Sequence, residues 1–207
     1  MSDSPRLIII SSPSGAGKST LCKMLVERNS NIKLSISATT RKPRQSEIDG
    51  QHYFFITKEK FAELLGGNQF LEYAQVFDNQ YGTPKKEVEE QLKNNNSVLF
   101  DIDWQGARQI VEKFDKQQVI SFFILPPSME ELHSRLQTRA EDSEEVVLKR
   151  MQKAKDEMSH WNEYDYVLIN QNLEETYQKI IDLIYSSKQT TFSDKENIES
   201  FVNQLLK

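Results

Sequence analysis

The run Ser12-Pro13-Ser14-Gly15-Ala16-Gly17-Lys18-Ser19 has the residue types and spacing of a phosphate-binding loop, G-x-x-x-x-G-K-[ST], with Ser12 in place of the first glycine. Glycines let backbone N–H groups turn inward around phosphate oxygens, and the helix that follows offers the positive end of its dipole. Lys18 would reach the β and γ oxygens and the Ser19 hydroxyl would join a Mg²⁺ shell. The G-K-[ST] core alone arises by chance at on the order of one position in two thousand, so its context decides. That context is favourable: a buried apolar strand stands immediately before the loop and an amphipathic helix immediately after it. Val98-Leu99-Phe100-Asp101 adds a second apolar strand, ending in a carboxylate. Beside a phosphate loop such an aspartate holds the metal; alone it reads as a helix cap or turn residue.

Arginines form two further groups. Arg41 and Arg44 stand three apart, and guanidinium forks suit a dianionic phosphate, although paired surface arginines are more often solvated charges. Arg135 and Arg139 are four apart on an expected helix and share a face, with Arg150 following the acidic stretch Glu141 to Glu145. Without the loop these read as an exposed, salt-bridged helix pair. Beside it they read as groups that neutralise a transferring phosphoryl. His52, His133 and His160 are scattered and show no metal-ligand spacing.

The elements that position these residues follow from periodicity. Leu7 to Ile10, Val98 to Phe100, Val119 to Leu125 and Tyr166 to Ile169 are apolar runs separated by helical segments, the pattern of an α/β chain with a parallel sheet of about five strands flanked by helices. Two regions break the alternation. Residues 37–86 carry the turn signals Asp49-Gly50 and Asp78-Asn79 with the aromatic runs Tyr53 to Phe55 and Phe70 to Phe77, which predicts a small β-rich insertion. Residues 126–160 are strongly charged with few apolar anchors, which predicts a mobile helical lid. The core is then 5–36, 87–125 and 161–187. Leu173 to Tyr185 is an amphipathic helix, and after the polar link Ser186 to Phe192 a second apolar stripe runs from Ile198 to Leu206. That stripe packs either on its own core or on a second copy, which leaves a homo-oligomer open.

A chain of 207 residues with 37% hydrophobic and 28% charged residues is a soluble globular composition. Its net charge of −5 argues against nucleic-acid or acidic-membrane partners, so an anionic ligand must meet locally clustered cations. The single cysteine, Cys22, cannot form an intrachain disulfide and fits a reducing cytoplasm. No apolar run approaches the ~18 residues of a membrane span, and no signal peptide is evident.

Across nearly its whole length the sequence resembles the guanylate kinase family, specifically the free bacterial enzymes. The resemblance is carried by the loop itself, Thr39-Thr40-Arg41-Lys42-Pro43-Arg44, Asp49-Gly50 through Phe55, Phe70-Leu71-Glu72, Tyr81-Gly82-Thr83, Asp101 through Gly106, and Ile124 through Ser128. It implies a P-loop kinase that moves the γ-phosphoryl group of ATP onto GMP, with Mg²⁺ bound alongside ATP, in purine nucleotide metabolism and GMP recycling. Ser12 to Ser19, Thr20 and Asn170 would contact ATP, and Ser19 and Asp101 the metal. Ser37, Arg41, Arg44, Tyr53 and Tyr81 would hold the GMP phosphate, while Glu72, Thr83 and Asp103 would read guanine. Lys18, Arg44, Arg135, Arg139 and Arg150 would serve the transfer. The chain departs from the family pattern at Ser12, at Ala140 where glycine is usual, and at Gln171-Asn172 where an acidic pair is common. Two rivals remain: a GTP switch, since Asp103 to Gly106 fits D-x-x-G although no N-K-x-D occurs, and a protein-binding module without catalysis, against which Lys18 and Ser19 stand.

Overall fold

Alternate residues of the first strand, β1 (Leu7–Ser11), enter two different cores: Leu7 and Ile9 one, Ile8 and Ile10 the other. A strand buried on both faces needs helices on both. The computed structural model of the chain supplies them, and describes residues 4–76, 78–139, 144–185 and 195–207, with residues 138, 139, 144–146 and 195 described by backbone alone. The parallel sheet has five strands, as the sequence predicts: β2 (Ile32–Leu34), β7 (Ser97–Asp101), β1, β8 (Val119–Leu125) and β9 (Tyr166–Ile169), side by side in that order.

One face is covered by α1 (Lys18–Arg28) and α7 (Leu173–Tyr185), which bury Leu21, Leu25, Ile180 and Ile184 against Ile8, Leu99 and Phe122. The other face packs against α3 (Lys85–Lys93), α4 (Trp104–Lys113), α5 (Met129–Arg139), α6 (Glu144–Met158) and α8 (Lys195–Leu205). Each fully buried aliphatic side chain of this kind stabilises the fold by about 1.5–3 kcal/mol. The C-terminal stripe is resolved here: Val202 and Leu205 are buried in this core, with Ile198, Phe201 and Leu206 packed against it. It packs on its own chain. The charged segment 126–160 is also better anchored than its composition suggests, since Leu132, Leu136, Val147, Ala154 and Met158 are all buried.

A second sheet of four strands, ordered β4 (Phe54–Phe55), β3 (Ala38–Thr39), β6 (Asn79–Pro84) and β5 (Phe70–Val76), forms the β-rich region expected between β2 and α3. It also contains a helix the sequence reading lacked, α2 (Lys58–Gly66), whose N-cap Thr57 accepts a hydrogen bond from the Lys60 N–H at 3.2 Å. The rings of Phe61 of α2 and Phe70 of β5 meet tilted, 4.6 Å between centroids, in a small separate core with Ala38. Among the described residues no helix is long and apolar enough to cross a membrane.

Candidate active site

The C-terminal ends of parallel strands are where ligands bind in open α/β sheets. Here the ends of β1, β7 and β9 deliver the phosphate loop, Asp101 with Asp103, and Asn170 to one edge. The loop turns into α1 through Gly17, whose φ of 96° is left-handed backbone. No side chain caps this helix start, so the amides of the first turn point at whatever anion arrives. Lys18 forms an ion pair with Asp101. Burial lowers the Lys18 pKa, and the nearby Glu157 and Asp103 carboxylates oppose that shift.

Asn170 is buried beneath the loop, its Nδ2 donating to the Ala16 carbonyl at 2.8 Å and its Oδ1 accepting from Thr176 Oγ1 at 3.2 Å. A Cβ on Gly17 would collide with that amide. Its amide therefore braces the loop backbone, an arrangement the expected contact with ATP did not foresee. An open cleft of ≈ 960 Å³ runs between the loop (Gly15, Gly17, Thr20), the strip Asn170 to Glu174, and Arg135 of α5. Arg135 itself is held by Glu131 at 2.8 Å. Arg139 closes α5 and its side chain lies outside the described residues, as does Ala140.

Glu157 is a functional candidate that sequence reasoning missed. Its Oε2 accepts from the Ser14 N–H of the loop at 3.2 Å, and burial pushes its carboxyl up to about 7. Lys153, Lys18 and the loop N–H pull it back down. Arg150, Lys153 and Glu157 lie three and four apart on α6, so the helix face that reaches the loop is the face that carries Arg150. In sequence Glu157 reads as an ordinary i,i+4 partner of Lys153, which it is at 3.9 Å.

The second sheet builds a different kind of site. Glu72 is 2% exposed and its Oε1 accepts from Thr83 Oγ1 at 2.6 Å. That hydroxyl hydrogen is then committed, so Ser37 Oγ, 3.3 Å away, donates to Thr83. Burial raises the Glu72 carboxyl to about 7, with Thr83 opposing and the Asp103 charge adding to the rise. Gly106 makes room for it, because a Cβ there would run into Oε2 and stand 3.0 Å from Cδ. Asp103 caps α4, its Oδ1 accepting from the N–H groups of Gln105 and Gly106 at 3.1 Å. The sequence analysis did not foresee this capping role for Asp103, and the cap leaves Oδ2 with Gln105 Nε2 at 3.0 Å.

A third cluster surrounds the arginines. Glu47, also missed, accepts two hydrogen bonds from Arg41 at 2.9 and 2.8 Å and one from the Arg44 N–H at 2.7 Å. The Arg41 bonds hold its carboxyl below the usual carboxylate range. The Arg41 guanidinium stands 5.4 Å from the Tyr53 ring and 5.7 Å from Phe55, and hydrogen bonds to Glu47 and then Tyr81 raise its pKa. Tyr53 meets Tyr81 edge-on at 5.9 Å. Arg44 is two-thirds exposed, its guanidinium 4.0 Å from Glu47. Ser37 joins the Thr83 and Glu72 chain more closely than this arginine cluster, so the structure groups it with that buried pair and not with Arg41 and Arg44.

Ser19 is exposed in the first turn of α1, Asp101 ends β7 and Asp103 follows it. Hydroxyl and carboxylate oxygens are a hard donor set that suits Mg²⁺.

The family model described as guanylate kinase matches residues 4–187. A protein named guanylate kinase from Rickettsia felis is 53% identical over 186 residues, 90% of this chain and 96% of that one. Another of that name, from Paramagnetospirillum magneticum, is 48% identical over 199 residues, 96% of this chain and 92% of that one. Among solved structures, guanylate kinase from Anaplasma phagocytophilum superposes with a TM-score of 0.74 at 36% identity, covering 95% of each chain.

Proposed function

The chain belongs to the guanylate kinase family and is an ATP:GMP phosphotransferase, and on that premise we propose how its own residues divide the work. Residues 5–36, 87–125 and 161–187 carry the ATP phosphates, 37–86 hold GMP, and 126–160 cover the reacting groups. Ser12 to Thr20 cradle the triphosphate, with Asn170 bracing the loop from below. Ser19 and Asp101 would hold Mg²⁺, which neutralises charge on the phosphoryl oxygens when bound.

Glu72 reads guanine. Its ionised carboxylate accepts from N1–H and the 2-amino group, whereas adenine offers an acceptor at N1 and no 2-amino donor, so adenine leaves a buried carboxylate unpaired. Thr83, Ser37 and Asp103 complete the pocket. Arg41 and Arg44, with Tyr53 and Tyr81, orient the GMP phosphate as the nucleophile. Glu47 fixes the Arg41 guanidinium and the Arg44 backbone, which limits the entropy lost when phosphate binds. Catalysis is then positioning plus charge neutralisation by Lys18, Arg135, Arg139 and Arg150, with little side-chain proton transfer.

The observation that carries this reading is the buried chain Ser37, Thr83 and Glu72, packed on Gly106 within reach of the Asp103 charge. A buried carboxylate with one donor hydroxyl asks for further donors, and a guanine edge has two. A coupled assay of ADP release tests it: turnover with ATP should require GMP and be negligible with AMP. Release indifferent to GMP would favour a GTP switch, and no release at all a binding module.

A further inference from the structure

β5 ends the order of its sheet, and the outer edge of a terminal strand ordinarily shows its N–H and C=O groups to solvent. Side chains of α4 occupy that edge here. Gln109 takes both backbone groups of Tyr73: its Oε1 accepts from the Tyr73 N–H at 3.2 Å, and its Nε2 donates to the Tyr73 carbonyl at 2.6 Å. One helical turn earlier, Gln105 Nε2 donates to the Gln75 carbonyl at 3.3 Å. One turn later, Lys113 Nζ donates to the Leu71 carbonyl.

Three helix positions four apart thus meet three strand positions two apart, with helix and strand running in opposite directions. The periods are compatible, since four helical residues rise about 6 Å and two strand residues about 6.7 Å. The remainder accumulates slowly, and the flexible lysine stem at one end can absorb it. An isolated glutamine on a helix is usually solvated. Two bonds from one amide to both groups of one strand residue are what a neighbouring strand would make.

The consequence falls on Glu72, which lies between the clamped residues Leu71 and Tyr73 and has its carboxylate against Gly106 of the same helix. Asp103 is that helix's N-cap. We propose that Gln105, Gln109 and Lys113 are positioning residues for guanine specificity, locking β5 onto α4 so that Glu72 and Asp103 face the base at a fixed spacing. The proposal rests on the reading of Glu72 as the group that meets guanine. The Lys113 charge also favours the ionised form of Glu72.

The test is a set of kinetic constants for GMP, for inosine monophosphate, which keeps N1–H and lacks the 2-amino group, and for ATP, measured on Gln109→Leu, Lys113→Met and Lys113→Arg. Gln109→Leu should raise the KM for GMP about tenfold and shrink the preference for GMP over inosine monophosphate by a similar factor. Its KM for ATP should stay within about twofold of the parent. Lys113→Met should act in the same direction, and Lys113→Arg, which keeps the donor, should restore the parent values. Variants that lose thermal stability or active fraction but keep the GMP preference would overturn the proposal. If Gln109→Leu does not fold, amide exchange in Gln105→Ala decides: faster exchange confined to Leu71 to Gln75 supports the clamp, and unchanged exchange there refutes it. Glu72→Gln belongs in the same series. If it keeps the GMP preference, the reading of Glu72 and the clamp fall together; if it loses the preference while the clamp variants do not, only the clamp falls.

Discussion

The phosphate loop and the proposed guanine pocket would meet the two ends of one reaction with opposite materials. The loop is backbone, shaped by a left-handed glycine and braced from below by Asn170. The pocket is side chain, a buried carboxylate held by one hydroxyl and fitted against a glycine. Backbone amides bind any phosphate, so the loop supplies affinity without choosing a nucleotide. A buried carboxylate discriminates, because the wrong base leaves it desolvated and unpaired. The contrast teaches where damage should appear: defects in the loop should weaken ATP, and defects in the pocket should change which acceptor is used.

The sharpest way to break that contrast is Glu72→Ala. It should cost ~10⁴ in kcat/KM for GMP while ATP binding, measured by titration, stays at the parent value. Next comes Arg150→Ala, expected to fold normally and, on the proposal that it neutralises the transferring phosphoryl, to lose ~10³ in turnover. Parent-like turnover would remove Arg150 from the transfer. Gly17→Ala is the counterpart of the first test. A φ of 96° and the clash with Asn170 should raise the KM for ATP by about a hundredfold and leave GMP affinity untouched.

The smallest effect concerns protons. Glu72 must be ionised to accept from guanine and titrates at about 7, so kcat/KM for GMP should fall about tenfold per pH unit below that value and level off above it. The sign for stability is the reverse. Its folded value lies above the ordinary 4.5, so the favourable contribution is full below 4.5 and lost as pH rises through 7. Glu72→Gln should therefore be more stable than the parent by up to about 3 kcal/mol near pH 8, with no such gain near pH 4, by denaturant unfolding. The pocket would then be a place where stability is given up for selectivity.

The two regions also differed in how legible they were. The loop is contiguous, and its glycines, lysine and flanking strand sit within a dozen residues, so a local pattern suffices. Four strands of the five were legible for the same reason, because strands buried on both faces read as unbroken apolar runs, whereas β2 carries Lys33 and an exposed Leu34 and gave no such run. Glu72, Thr83 and Asp103 were named only through resemblance; nothing local marks Glu72 as buried, and its partners lie 11 and about 30 residues away. Glu47 and Glu157 escaped because each stands three or four residues from a cation and mimics a surface pair. α2 escaped because the aromatic runs on either side suggested strands, although Thr57 before Lys58 to Gly66 is a helix-start signal. The clamp of Gln105, Gln109 and Lys113 gave no signal, since its partners are backbone atoms about 30 to 40 residues away.

The most direct test of the division between loop and pocket is calorimetric titration of GMP into the parent and into Glu72→Gln without ATP, with ATP titrated separately into each. GMP affinity should collapse in the variant while ATP affinity is equal in both. Equal GMP affinity would mean that the buried carboxylate does not meet the base, and the account of the pocket would be wrong.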